Sequence, residues 1–381
     1  MRKVAIIGAG ISGLFIANLF KKNHNYQITI YEKNTSISPE VGYGVQLSVN
    51  SIKLLNEIGF ENLNSNEKFF PEKINFYSNN SSDKICELNI AKFNTEVCKY
   101  TTLKRSSLIN FLKKDLGNLI KTGYNIKKID QHNKQIKLFF ENNEIYECDY
   151  LIISDGVFSK SKSLISNNKV KPKYNDTLAI RGILTKSPEN MDNKNIALFL
   201  GSNFHHVIYP VNSAGDLNFI AILKYYLSAE EQKNYSLFSE ISFIKKVKDK
   251  IPLENKEFQD NLQKIKIFPV FVSKNFYNLQ SDKIHLIGDA FYAFPPSLAQ
   301  GASQSIESAY ELFKSIENNT ENIFFKNRVK KIKIVNIRSK FNQFAFHLSN
   351  PLTTFIRNIF LKRLVKNKKF LEAFLGKVYR N

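Results

Sequence analysis

The chain has 381 residues, 43% of them hydrophobic and 23% charged, a balance that excludes a disordered or fibrous protein and suffices for two substantial cores. No apolar run reaches the ~18–20 residues of a membrane-crossing helix, and Cys86, Cys98 and Cys148 are odd in number and lack metal-ligand spacing, so neither a disulfide framework nor a zinc site is expected. The net charge is +21, and residues 321–381 hold 15 Lys or Arg against 2 Glu; such charge attracts nucleic acid, anionic membrane or acidic ligands without choosing among them.

The chain opens on a short apolar run, Lys3 to Ile7, continuous enough to be a strand buried on both faces. A nucleotide-binding strand at this place, not a signal peptide, leads to the expectation of an intracellular protein. It feeds Gly8-Ala9-Gly10-Ile11-Ser12-Gly13, and a helix follows from Ser12 to Lys22. In a dinucleotide fingerprint Gly8 permits the tight turn, Gly10 lets backbone approach a pyrophosphate, and Gly13 lets helix pack on strand. The helix N-terminus, with Ser12, turns its N–H groups and dipole to the phosphates. A second run, Gln27 to Tyr31, ends in Glu32 and Lys33, and Glu32 stands where a carboxylate accepts from an adenosine ribose.

Farther along, Thr102 to Asn118 reads as a helix, followed by strands Asn125 to Leu138 and Phe139 to Glu147. The apolar run Tyr150 to Ser154 ends in Asp155-Gly156 and reads as a parallel strand stopping at the ligand edge of the sheet. Strand-like segments Thr177 to Thr185, Ile196 to Leu200, Val207 to Val211 and Leu217 to Tyr225 read as a second, largely antiparallel unit. A buried strand, Ile284 to Ile287, then enters Gly288-Asp289, with Pro296 and Gln300-Gly301-Ala302 close behind. Asp289 suits a ribityl hydroxyl or, equally in form, a helix cap. Gly301, Ala302 and Ser303 open a helix through Glu311 whose N–H groups can stabilise a reduced flavin anion. The two glycine motifs together point to FAD.

The expected fold class is therefore α/β: a Rossmann-like FAD-binding domain with a mainly parallel sheet, a largely antiparallel β-sheet substrate domain, and C-terminal helices. The expected boundaries are 1–70, 100–170 and 276–330 for the discontinuous FAD-binding domain, 71–99 and 171–275 for the substrate domain, and 331–381 for a basic helical region.

Four ordered motifs carry a family resemblance over nearly the whole chain. They are Glu40-Val41-Gly42-Tyr43-Gly44-Val45-Gln46-Leu47-Ser48-Val49-Asn50, Arg105-Ser106-Ser107-Leu108, Asp155-Gly156-Val157-Phe158-Ser159, and the stretch from Gly201 through His205-His206-Val207-Ile208-Tyr209-Pro210-Val211 to Asn218-Phe219. The chain resembles the single-component FAD-dependent aromatic hydroxylases, in the salicylate hydroxylase and 3-hydroxybenzoate 6-hydroxylase branch. That resemblance implies a monooxygenase in which NADH or NADPH reduces FAD, O2 adds at flavin C4a, and the hydroperoxide hydroxylates a small aromatic or phenolic substrate. It also implies that Gly44, Val45, Arg105 and Asp155 lie at the FAD, and that Pro296 shapes the loop over the flavin. His205, Tyr209 and Gln300 would face the substrate. Five positions depart from the pattern: Tyr43, Val49, Lys162, Phe291 and Tyr292.

Strand alternation puts His205 and Tyr209 on one side, where they either draw a phenolic proton or fill a core; His206 faces the other way. Arg181 either holds a carboxylate or pairs at the domain interface. Two other functions share these motifs: a flavin reductase or dehydrogenase without oxygen transfer, and a hydroxylase of a lipophilic quinone precursor at a membrane. In the basic region, Leu352, Phe355, Ile356, Ile359 and Phe360 recur at helical spacing, and Lys362, Arg363, Lys366, Lys368 and Lys369 interleave with Leu364, Val365, Phe370, Leu371, Phe374 and Leu375. This stripe either packs on the protein or lies on an anionic membrane. No nucleic-acid module accompanies it, so nucleic acid is not an expected partner. The expected location is cytoplasmic, with peripheral contact at the inner face of a membrane if the stripe is free. Oligomeric state has no sequence signal.

Overall fold

The computed structural model describes residues 1–37, 43–79, 83–132, 135–167, 170–186, 191–251, 261–279 and 281–380; Glu40, Val41 and Gly42 of the second motif lie outside them. Arg2–Ile7 is the middle strand of a five-stranded parallel sheet, ordered Ile284–Leu286, Tyr150–Ile153, Arg2–Ile7, Tyr26–Glu32, Ile120–Thr122. Helices Ile11–Lys21 and Gly301–Glu317 share a core with one face of this sheet, built on Val4, Ile6, Phe15 and Leu312. On the other face Ala5, Ile7 and Tyr31 pack against Ile136, Leu138 and Phe140 of a three-stranded meander. Burial on both faces is why these strands are apolar without alternation.

The second large sheet has seven strands, ordered Leu262–Val272, Lys173–Leu184, Leu217–Lys224, Phe204–Pro210, Ile196–Gly201, Lys73–Ser78, Lys84–Asn89. It is antiparallel except where Ile196–Gly201 runs parallel to Lys73–Ser78. One face builds a core with Phe204, Ile208, Phe219 and Phe243. The other, with Leu198, Leu200 and Tyr209, meets the last third of the chain: Val335 and Phe346 of helix Glu321–Phe346, then Leu371, Leu375 and Tyr379. The α/β class with a parallel sheet, an antiparallel sheet and C-terminal helices holds.

Three local readings are corrected. Thr102–Asn118 is not one helix: Thr101–Lys104 is a strand paired with Gly44–Leu47 and Lys68–Phe69, and the helix runs only Arg105–Lys113. Residues 125–147 form three strands, not two, because the chain turns at Asn143, in left-handed conformation (φ 66°), between Gln135–Phe140 and Ile145–Cys148. The strand read as Val207–Val211 starts earlier, at Phe204, so His205 and His206 are inside it.

The apolar residues of the basic region divide into a packed group and an exposed group. Leu364, Val365, Phe370, Leu371, Phe374 and Leu375 pack inward, whereas Leu352, Phe355, Ile356, Ile359 and Phe360 of helix Pro351–Leu364 are exposed. Among the described residues, no helix is long and apolar enough to cross a membrane, and no cluster of His, Cys, Asp or Glu could hold a metal ion. The three cysteines are unpaired, and burial pushes the Cys86 thiol to about 11 and the Cys148 thiol to about 12.

Candidate active site

The glycine loop has the geometry of a phosphate cradle. Gly8 has φ +101°, and a Cβ there would sit 2.7 Å from the Ser154 carbonyl oxygen. A Cβ on Gly13 would sit 2.1 Å from the Gly8 carbonyl oxygen and 2.5 Å from Ser154 Oγ, so strand and helix touch through bare backbone. Gly10 is different: a Cβ there would meet nothing within 4 Å, so the protein's own packing does not require glycine. Among the described residues, no protein acceptor meets the N–H groups of Ile11, Ser12 and Gly13, the first bonded one being Leu14, which donates to the Gly10 carbonyl. Open space beside three unpaired donors at a helix N-terminus fits a pyrophosphate. Glu32 ends the second strand and accepts from Ala9 N–H and Asn34 N–H, both at 3.0 Å, which holds its carboxylate at the loop's rim; Lys33 beside it is exposed.

The Gly288-Asp289 turn completes the cleft. Gly288 (φ +59°) leaves room for Ser12, whose Oγ would lie 2.7 Å from a Cβ there, and its N–H donates to Ser308 Oγ at 3.0 Å. Asp289 lines the cavity described below; its side chain is open to the cleft, while the walls packed around it still strip part of its hydration. Burial raises that carboxyl from 3.8 to about 6, with the Arg105 guanidinium opposing the shift. Arg105 begins its helix, with its N–H on the Tyr43 carbonyl at 2.7 Å. Because the folded value lies above the unfolded one, charge on Asp289 costs the FAD-free protein a small amount of stability above about pH 6, reduced by the solvent that reaches it, and that cost fades as pH falls toward 4. Asp289→Asn is expected to raise the melting temperature of FAD-free protein at pH 8 but not at pH 4, while weakening FAD retention. Scanning fluorimetry at both values checks this, and the same change at both would refute it.

Asp155 accepts from Ser161 N–H at 3.0 Å, and its carboxyl is raised by burial. Lys162, buried beside it, donates from Nζ to the Ala290 carbonyl at 2.9 Å, tying the Asp155 loop to the Gly288 turn. Burial lowers its ammonium, with Asp155 opposing. Phe291 and Tyr292 are buried and outside the cavity lining; Tyr292 stacks on Phe276 and its hydroxyl accepts from Asn336. Two of the departures from the family pattern are thus packing positions.

A cavity of about 430 Å³ joins the cleft to the seven-stranded sheet. Gly44, Val45, Asp289, Pro296, Gly301 and Ala302 line its cofactor end, and His205, Val207 and Tyr209 line the sheet side, as period-two alternation requires. His206 points the other way and stacks on Phe199, ring centroids 4.4 Å apart. Gly44 is glycine because Tyr209 lies against it: a Cβ would come 2.7 Å from the Tyr209 ring and 2.9 Å from its hydroxyl. Gly44 N–H donates to Asn218 Oδ1 at 2.6 Å, and Asn218 is the cross-strand neighbour of Tyr209, so the Gly44 strand and the seven-stranded sheet are tied at this point. Burial raises the Tyr209 phenol. Ala299, between Pro296 and Gly301, adopts φ +52° as its N–H donates to the Pro296 carbonyl at 2.8 Å, a strained turn against the cavity. Arg181 also lines the cavity, its guanidinium 5.9 Å from the centres of the Tyr43 and Phe268 rings.

One expected site residue is misplaced. Gln300 does not line the cavity: its side chain is fully buried, donating to Ser48 Oγ at 3.2 Å and accepting from Gln304 at 3.3 Å, as its place at the N-cap of helix Gly301–Glu317 dictates. His205 has a partner the sequence did not disclose, His347 at the end of helix Glu321–Phe346, with Nδ1 and Nε2 2.8 Å apart. Burial, His347 and His206 hold His205 well below the ordinary imidazole range, so the ring is neutral at pH 7. Tyr100 was also missed; its hydroxyl donates to Gln46 at 2.8 Å and is hydrogen-bonded to Tyr379. Beneath the cleft, Arg328, Glu307, Gln304 and Asn50 form a buried polar network. None of these pairs leaves a local sequence signal.

Comparison with known proteins agrees with this geometry. The family model described as "FAD binding domain" matches residues 1–320. A 6-hydroxynicotinate 3-monooxygenase of Bordetella bronchiseptica is 20% identical over 391 residues, covering 96% of this chain and 98% of that protein. A salicylate hydroxylase of Pseudomonas putida is 22% identical over 342 residues, covering 81% of this chain and 75% of that protein. Among solved structures, Klebsiella pneumoniae HpxO complexed with FAD and uric acid superposes with a TM-score of 0.82 at 16% identity, over 99% of this chain and 96% of that one, a likeness of fold. With a cradle that fits the pyrophosphate and a family match over most of its length, the chain belongs to the FAD binding domain family.

Proposed function

We propose that the protein is an FAD-dependent monooxygenase that uses NADH or NADPH and O2 to hydroxylate an aromatic, phenolic substrate. The observation that carries this reading is the single cavity that sets Gly44, Val45, Asp289, Pro296 and Gly301 opposite His205, Val207 and Tyr209, with apolar walls between. When bound, FAD would supply the electron transfer from nicotinamide and the oxygen chemistry. The chain's own residues would do the rest. The N–H groups of Ile11, Ser12 and Gly13 and the Glu32 carboxylate would hold the adenosine and pyrophosphate end, and Asp289 with Arg105 the ribityl end. The first turn of helix Gly301–Glu317 would face the flavin ring with unpaired N–H groups, favouring negative charge there. Val207, Ile220 and Ile222 would exclude water from the substrate.

The Tyr209 hydroxyl, on the cavity face of its strand, would orient a phenol, and His205 would take its proton at Nε2, the ring nitrogen not engaged with His347. A neutral imidazole is the form this step requires. The test is anaerobic reduction of the flavoprotein by NADH and NADPH, then admission of isotopically labelled O2 with a panel of hydroxybenzoates and longer-tailed phenols. A phenol that speeds reduction and gains one labelled oxygen supports the reading, and His205→Gln should then lose roughly 10²–10⁴-fold in hydroxylation at unchanged FAD content. Peroxide as the sole product with every phenol would turn the assignment toward a reductase.

A further inference from the structure

Helix Pro351–Leu364 is built inside out. Leu352, Phe355, Ile356, Ile359 and Phe360 fall at the i, i+3, i+4, i+7, i+8 positions that a helix of a water-soluble protein turns to its core, yet here they face outward, Leu352 66% and Phe355 63% exposed. The residue this helix does bury is Arg357, whose guanidinium donates to the Asn358 side chain and the Ala345 carbonyl. Helix Glu321–Phe346 repeats the pattern at Ile337, Phe341 and Phe344, each more than half exposed. Isolated exposed apolar residues are ordinary, but eight in two consecutive helices at core spacing are not.

Charge selects the occupant. Lys340, Lys362, Arg363, Lys366, Lys368 and Lys369 are exposed on the same helices and the turn after them, and among the described residues none makes an ion pair. The acids of residues 321–381 are Glu321 and Glu372, and Arg380 already pairs with Glu372 at 2.7 Å. A second copy of the chain would set these cations against their own kind, whereas an anionic lipid surface complements both the cations and the apolar stripe.

The same helices wall the cavity from inside. Phe341, Leu361 and Leu364 line it, and so do Val365, Phe370 and Phe374 of the segment that follows, none of them charged. We propose that the outward face of Pro351–Leu364, with Ile337, Phe341 and Phe344, docks on an anionic lipid bilayer, and that the cavity behind it receives an aromatic substrate carrying an apolar tail from that bilayer. The docking stands by itself; the substrate class rests on the hydroxylase reading given above.

The test uses the full-length flavoprotein and sedimentation with vesicles. Binding to phosphatidylglycerol vesicles at low salt should exceed binding to phosphatidylcholine vesicles by about tenfold, and fall by a similar factor at high salt or in the Lys366→Glu, Lys368→Glu, Lys369→Glu variant. Phe355→Ser with Phe360→Ser, which leaves the cavity lining intact, should abolish binding at unchanged FAD content. Phosphatidylglycerol vesicles carrying a long-chain alkylphenol should shift the flavin absorbance of the native protein, and not of the serine variant. No binding to phosphatidylglycerol, or equal binding by the serine variant, overturns the docking. A dimer in solution that the serine variant dissolves assigns the face to a second copy and overturns it equally. A shift that persists in the serine variant overturns delivery from the bilayer. If vesicles bind but no phenol is ever hydroxylated, the reaction assigned to the site fails while the docking surface stands.

Discussion

Gly13→Ala is expected to give protein without FAD and with stability lower by about 3 kcal/mol or more, the upper range of overpacking. The added methyl would stand 2.1 Å from the Gly8 carbonyl oxygen and 2.5 Å from Ser154 Oγ. Neither neighbour can retreat at little cost. Gly8 is held by its N–H on the Tyr31 carbonyl at 2.8 Å, and Ser154 Oγ is hydrogen-bonded to the carbonyls of Ile7 and Gly8 at 2.9 Å each. The helix would have to move away from the strand, taking with it the unpaired N–H groups of Ile11, Ser12 and Gly13 proposed above to hold the pyrophosphate. Adding Ser154→Ala removes one of the two clashes and leaves the backbone one, so it should not restore the cofactor. The flavin-to-protein absorbance ratio after purification decides the matter, and a native ratio in Gly13→Ala would contradict the cradle geometry.

Arg328→Ala is expected to cost about 3–5 kcal/mol, the loss typical of breaking a buried ion pair from one side. Arg328 is 1% exposed and bonds through Nη2 to the Gln304 carbonyl (2.9 Å) and side-chain oxygen (2.7 Å). Its Nη1 lies 3.4 Å from Glu307, itself buried and also held by Asn50, Gln304 and Lys331. Removing the guanidinium strands part of that charge. Pairing Arg328→Met with Glu307→Gln should recover only part of that loss, because Glu307 is then neutral while Glu311, which Arg328 also holds at 3.3 Å, keeps its carboxylate. The network fastens helix Gly301–Glu317 to helix Val49–Asn56 and to the helix bearing Arg328, so FAD retention should fall with stability. Denaturant titration of the flavoprotein measures both, and a loss under about 1 kcal/mol would show that Lys331 and Asn50 suffice.

Legibility followed the range of the interactions. The Gly8–Gly13 loop and the Gly288-Asp289 turn could be read because each is a local backbone requirement written in consecutive residues. Alternation likewise placed His205 and Tyr209 on one face, since neighbours along a strand fix it. Thr101–Lys104 was hidden in a helical pattern because its strand character comes from Gly44–Leu47, more than fifty residues away. His347 opposite His205, Tyr379 on Tyr100 and Arg328 on Glu307 are side-chain meetings decided by how whole helices lie on a sheet. Gln300 shows the opposite error: its motif was legible, but the side chain's direction depends on Ser48 and Gln304, which the motif does not contain.

The cavity wall built by Leu371, Leu375 and Tyr379 also sets an order of events during synthesis. With Phe374 between them, these are the last residues in the chain to contribute to the chamber, and roughly 77 positions separate Ala302, on another of its walls, from Tyr379. At ribosomal rates of about 5–20 residues per second, the nascent protein spends on the order of 4–15 seconds with its nucleotide cleft encoded and its chamber still open. A chain in which residues 371–379 have not yet docked would therefore hold its glycine loop complete and its chamber open on that side.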